Sequence, residues 1–163
     1  IGFIVIKRLD KPITAKVLYM IYSVITGVTF SYVIASYTSF SVALAFLVAA
    51  IYFGVLVVLG TVIKMDLTRI GTICLAGLFV YIIFSVIVMI FNLGVGTLIM
   101  PLISLALFAG ITAYDMQKSL QLYNYASSNP EMLEKLSIYG AFNLYLDFVN
   151  IFLDILQLLG DNK

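Results

Sequence analysis

Three carboxylates lie in stretches that are otherwise apolar: Asp115, Asp147 and Asp154. A charged group at the centre of a hydrocarbon layer costs about 2.5–3.5 kcal/mol on insertion scales, so each is a functional candidate. Two of them belong to a longer polar series, Asn143, Asp147, Asn150, Asp154 and Gln157, spaced 4, 3, 4 and 3 residues apart. That spacing puts all five on one stripe of a helix whose other positions are mostly Leu, Ile, Phe, Val and Tyr. Facing lipid, the stripe would leave several polar groups in hydrocarbon, so it is expected to face other helices or a water-filled cavity. Asn and Gln alone would suit polar packing between helices, worth about 0.6 kcal/mol per hydrogen bond. Two carboxylates on the stripe favour a cavity or an ion path.

Two carboxylates close together in a low dielectric cannot both ionise cheaply, and they titrate as a unit. Sharing a proton, such a pair clamps two helices; without it, the pair repels itself and attracts cations. A hard cation such as Ca²⁺ prefers carboxylate and carbonyl oxygens, which makes it the natural cargo, held transiently between Asp115 and Asp147. Other chemistries lack their residues. The chain has no histidine, so a zinc site built on His, a His-based triad and a haem axial His are unavailable. Its one cysteine, Cys74, sits in an apolar run and can form no intrachain disulfide. A net charge of +1 gives no electrostatic case for nucleic acid. The expected partners are the lipid bilayer, Ca²⁺ and protons; no resident cofactor, catalytic residue or enzymatic activity is expected, and no protein partner is indicated.

The elements that must position these acids are membrane spans. Of 163 residues, 63% are hydrophobic and 10% charged, and mean hydropathy is +1.15. A soluble domain carries about 25% charged residues. Apolar runs of about 20 residues match the bilayer core, and their length without strict alternation argues for helices over a barrel. Five full spans are expected near residues 17–37, 41–63, 70–91, 97–118 and 136–160, with a partial one over 1–8, all in one transmembrane helical domain covering 1–163. Residues 1–6 read as the tail of a span that begins upstream. Charged residues gather on alternate connections, which the positive-inside rule places in the cytoplasm: Lys7 to Lys16, Lys64 to Arg69, and Lys118 to Lys135. Ser127-Ser128-Asn129-Pro130 is a turn-forming cluster, with Pro130 suited to open a short helix leading into the last span. Asp147 then lies about 17 Å into that span, near mid-membrane, and Asp115 near the cytoplasmic end of its own. Gly54, Gly60, Gly71 and Gly77 read as packing positions where helices approach closely.

Two segments also resemble a known family. Gly110-Ile111-Thr112-Ala113-Tyr114-Asp115-Met116-Gln117 resembles the G-x-T-A-Y-D-x-Q segment of the Bax inhibitor-1 family. Ala141-Phe142-Asn143-Leu144-Tyr145-Leu146-Asp147-Phe148-Val149-Asn150-Ile151-Phe152 resembles its A-L-x-L-Y-L-D-F-I-N-L-F segment. The resemblance implies an all-α, seven-span integral membrane bundle with the last helix at its centre, of which the first span and most of the second are missing here. It also implies that Asp115 and Asp147 form a pH-sensing pair governing a Ca²⁺ leak. A second-span arginine closing the cytoplasmic side would match Arg8, with Lys7 as the fallback. Asp154 departs from the family pattern, which has Tyr or another uncharged residue there. The ending Asp161-Asn162-Lys163 resembles bacterial members, which implies residence in a bacterial plasma membrane.

The leading expectation is therefore a pH-dependent cation leak channel or exchanger, with Asp115, Asp147 and Arg8 as gate and Asn143, Asn150, Asp154 and Gln157 along the path. Two alternatives stand beside it. An intramembrane aspartyl protease would also use two aspartates on adjacent spans, but its G-x-G-D and Pro-Ala-Leu patterns are not found among Tyr145-Leu146-Asp147 and the three prolines, Pro12, Pro101 and Pro130. A non-conducting regulatory or interaction protein would use the polar stripe only as glue.

Overall fold

A computed structural model describes residues 12–91 and 98–160. Arg8, Lys7 and the partial span over 1–8 lie outside the described residues. Within them run five helices: α1, Pro12–Ala35; α2, Ser39–Val62; α3, Thr68–Phe91; α4, Ile99–Ala126; and α5, Pro130–Leu159. Helices α2 to α5 are each long and apolar enough to cross a membrane, and α1 adds an apolar stretch over Met20–Ala35. The two acid-bearing helices, α4 and α5, are markedly less apolar than α2 and α3.

Helix ends follow local chemistry. Thr38 caps α2 by accepting the Ser41 N–H at 3.3 Å. Asp66 turns the chain into α3, its Oδ1 accepting the Thr68 N–H at 2.9 Å and the Thr68 hydroxyl. Asn129 caps α5 through the Met132 N–H at 3.2 Å, with Pro130 in the first turn. The structure differs from the sequence reading here. Helix α4 continues past Lys118 to Ala126, and Pro130 opens one continuous helix of 30 residues instead of a short helix ahead of the span. Hydropathy marks only the apolar stretch, whereas residues 119–126 contain no Gly or Pro to stop the hydrogen-bond ladder. The Glu131–Lys135 pair, 2.8 Å apart, supports the polar first turns of α5.

Helices α4 and α5 pack on each other more extensively than any other pair. Around them, α2 contacts both, α3 contacts α4, and α1 contacts α5. The acids therefore sit on the central pair of the described helices. The buried core joins Ala45, Ala49 and Leu56 of α2, Phe108 and Ile111 of α4, and Ile151, Phe152, Ile155 and Leu156 of α5. Phe148 lies edge-on to Phe46 and Phe53, at centroid distances of 5.6 and 5.5 Å. By contrast α3 buries only Gly71 and turns large apolar side chains such as Phe79, Val80 and Met89 outward. An apolar outer face of this kind suits lipid, because lipid gives it the environment that water cannot.

Small residues set the helix spacing. A Cβ on Gly60 would meet the Ala113 carbonyl oxygen at 2.5 Å, and one on Gly71 would land on the Tyr114 ring. Gly110 leaves room for Cys74, and Gly140 for Ser119. Together with Leu107 against Gly77, these contacts fix α4 antiparallel to α3, and Ser119 against Gly140 begins the antiparallel register of α4 with α5.

Candidate functional site: the seam between α4 and α5

Antiparallel register carries Ser119–Gly140 at one end of the seam to Thr112 beside Asp147 and then Ser104 beside Asp154. Asp147 is only 3% exposed and Thr112 is fully buried. The Thr112 hydroxyl interacts with the Asp147 carboxyl without reaching hydrogen-bond geometry, so Thr112 Oγ1 and Asp147 Oδ2 are both buried and unpartnered. A buried polar atom left in that state costs about 1–3 kcal/mol, and a proton or a cation arriving between such oxygens would recover it.

Asp115 is three residues, about one helical turn, from Thr112 on the same side of α4. Its charge acts on Asp147 across the seam. The structure thus brings together the two aspartates singled out by sequence, in electrostatic contact with no hydrogen bond between them. A positive group stands beside Asp115: the Lys118 ammonium lies 5.3 Å from the centroid of the Tyr114 ring, and its charge reaches Asp115 and Tyr139. Asp115 is therefore drawn toward Lys118 on its own helix and repelled by Asp147 on the next.

The rest of the polar stripe divides. Asn143 is half-buried. Asn150 is half-buried too, and its amide donates to Leu146 O at 2.7 Å, back onto its own helix. Asp154 is half-buried with Oδ2 unpartnered, and Gln157 is exposed. Among the described residues, no three or more of His, Cys, Asp and Glu come together as a metal cage. Any cation at Asp115 and Asp147 would be held by two carboxylates and the Thr112 hydroxyl, an all-oxygen set that suits a hard ion in passage.

Sequence reasoning missed Thr112 and Ser104, although the signal was present. Ser104, Phe108, Thr112 and Asp115 are spaced 4, 4 and 3, a second stripe facing the one on α5. It also missed Gln117. That side chain accepts the Leu67 N–H at 2.8 Å and donates to Ile63 O at 3.0 Å and Met65 O at 2.8 Å. It fastens the connection between α2 and α3 to α4, two residues from Asp115.

Comparison with known proteins gives the family. The family described as "Inhibitor of apoptosis-promoting Bax1" matches residues 1–163. The inner membrane protein YbhL of Escherichia coli K12 is 33% identical over 159 residues, covering 97% of this chain and 68% of that protein. An uncharacterised protein of Rickettsia prowazekii is 35% identical over 150 residues, 92% of this chain and 63% of that protein. One from Deinococcus radiodurans is 41% identical over 151 residues, 88% of this chain and 62% of that protein. The chain thus spans somewhat under two-thirds of the length of the last two relatives. Helices long and apolar enough to cross a membrane and the family match along the entire chain give one conclusion: this is an integral membrane protein belonging to the family of inhibitors of apoptosis-promoting Bax1.

Proposed function

We propose that the protein provides a pH-dependent leak or exchange path for cations, with Ca²⁺ as cargo, gated by Asp115 and Asp147. The observation that carries this reading is the buried, unpartnered Asp147 carboxyl oxygen in the central seam, next to the Thr112 hydroxyl and under the charge of Asp115. A carboxylate kept there against its desolvation cost is a place where proton binding and helix packing are coupled. Protonation removes the repulsion between the pair and lets α4 and α5 close; deprotonation separates them and presents oxygens to a cation. The charge change biases an equilibrium between two packings of the seam.

In this reading Arg8 pairs with Asp115 in the closed state, and Lys118 competes for the same carboxyl. Asn143, Asn150, Asp154 and Gln157 continue the path along α5. The five described helices are part of a seven-span bundle with α5 at its centre, set in the plasma membrane as the relative YbhL is, an inner membrane protein. The pair moves protons and makes or breaks no covalent bond in a substrate, so no enzymatic role is assigned.

The test is Ca²⁺ flux into proteoliposomes holding the full-length protein, followed across a pH series. Asp147→Asn is expected to remove most of the pH dependence. Asp115→Asn is expected to leave the path open more often, through loss of its pairing with Arg8. A double Asn variant that leaks with unchanged pH dependence would overturn the switch.

A further inference from the structure

A third carboxylate has its own surroundings. Asp154 lies on α5 seven residues beyond Asp147, about 10 Å further along the helix axis. Across the seam it meets Ser104 of α4, which is 4% exposed, through the serine hydroxyl. Tyr81 of α3 reaches the same place: its phenol interacts with the Ser104 hydroxyl and feels the charge of Asp154. Three helices thus bring a carboxyl, an alcohol and a phenol together. The neighbouring Ser85 hydroxyl contacts the same phenol and donates to Tyr81 O at 2.8 Å.

The cluster is separate from the Asp115 and Asp147 pair. Phe108 lies four residues from both Ser104 and Thr112, and Ile151 lies between Asp147 and Asp154. Phe108 is 7% exposed and Ile151 is fully buried, and both belong to the packed core. Along the two helices these core side chains lie between the two acid sites.

We propose that Asp154, Ser104 and Tyr81 form a second cation site in the bundle, one that takes a single exchangeable positive charge, a proton or a sodium ion. Charge balance requires a counter-charge at Asp154. No Lys or Arg side chain among the described residues acts on Asp154, and its Oδ2 is buried without a partner. An ionised carboxylate at that depth needs a compensating charge. One carboxylate neutralises one charge; a divalent ion would leave a net charge in the bilayer. The ligands on offer are all oxygens, which a proton or a hard monovalent ion accepts. The titratable groups on the packed elements are few. Tyr81 faces Asp154 from α3, and Tyr52 of α2 packs against the same core. On α4 the nearest ionisable residues are Tyr114 and Asp115, beyond the Phe108 layer, and on α1 Tyr32 is exposed.

The site rests on its own contacts and takes a monovalent charge apart from the proposed Ca²⁺ passage, and its test reads occupancy and not flux, so failure of the leak reading leaves it standing. The experiment is pH-difference infrared spectroscopy on the full-length protein in nanodiscs. A protonated-carboxyl band is expected that disappears in Asp154→Asn and persists in Asp147→Asn and Asp115→Asn. In Asp154→Glu it should persist at a shifted position, which guards against a folding defect. Ser104→Ala should move the titration midpoint of this band and leave the others in place. Adding sodium at fixed pH separates the two occupants: bleaching of the band identifies sodium, and indifference identifies the proton. If Asp154→Asn leaves every band intact, or if the band vanishes with Asp147→Asn as well, a separate second site does not exist.

Discussion

Thr112 and Asp147 meet in the buried seam between α4 and α5, and neither Thr112 Oγ1 nor Asp147 Oδ2 has a hydrogen-bond partner. Packing holds them in place. Ile111 and Ile151, 3% and 0% exposed, belong to the packed core of the same two helices. A fold that keeps two orphaned polar atoms together is less stable than it could be, and the deficit sits where a proton or a cation would remove it.

Thr112→Val should therefore stabilise the protein. Valine keeps the shape and removes one orphaned hydroxyl, a gain of about 1 kcal/mol. Thr112→Ser keeps the hydroxyl and opens a methyl-sized gap, a loss of about 1 kcal/mol. Thermal melts in detergent would rank valine above the natural residue and serine below it. The same valine variant should flatten the pH response of Ca²⁺ flux. A valine variant that melts lower than the natural protein would mean the hydroxyl is satisfied in solution.

Gln117 offers a test at the end of the bundle next to Asp115. Its three hydrogen bonds to the connection between α2 and α3 each contribute about 1 kcal/mol net at most. Gln117→Leu should cost about 1–3 kcal/mol and speed hydrogen exchange at the Leu67 amide, which loses its acceptor. Gln117→Glu should cost at least as much at neutral pH, because its second oxygen would face the carbonyl oxygens of Ile63 and Met65. Unchanged Leu67 exchange in both variants would show that the connection is held by its other contacts.

Apolar length made the spans legible from sequence, and the 4, 3, 4, 3 spacing on α5 pointed to its inward face. Asp147 is buried as that spacing implied. The spacing could not show that Asn150 bonds back to Leu146 or that Gln157 is exposed. A polar side chain on a helix can always satisfy itself on its own backbone, and only the neighbouring helices decide which ones do. Gln117 was hidden for a related reason. Its partners lie about fifty residues away, and a hydrogen bond to backbone leaves no mark in residue types. The turn at residues 127–129 was legible, whereas the unbroken length of α4 and α5 was not, because hydropathy falls where the helices leave hydrocarbon and the hydrogen-bond ladder does not.

Outside the spans, Asp66 should contribute to acid sensitivity. The Thr68 hydroxyl and N–H donate to its carboxylate, with Arg69 nearby, and hold it below the usual carboxylate range. A carboxyl with a lowered folded pKa adds stability that is fully present above its unfolded value, about 4, and is lost as pH falls through the folded value. Thr68→Val removes one of the two donors. Its melting temperature should lie slightly below that of the natural protein at pH 6, and the two should converge as pH falls below about 4. The difference should be small, because Asp66 is exposed. A gap that widens on acidification would reverse the sign and remove Asp66 from the account.

Two glycines of α2 give opposite expectations for the same substitution. At Gly60 an added Cβ would lie 2.5 Å from the Ala113 carbonyl oxygen and 2.9 Å from Met116 Cβ, and the backbone of α4 can yield only by moving as a helix. At Gly54 nothing lies within 4 Å of the added atom. Gly54→Ala should be neutral or stabilising by up to about 1 kcal/mol, the helix preference of alanine over glycine. Gly60→Ala should cost about 1–3 kcal/mol as overpacking. It should also displace the stretch of α4 that carries Thr112 and Asp115, so the pH dependence of flux shifts along with the melt. Equal melting temperatures for the two variants would show that α2 and α4 are not in close contact at Gly60. A lowered melt with an unchanged pH profile would place the close approach of α2 and α4 outside the switch.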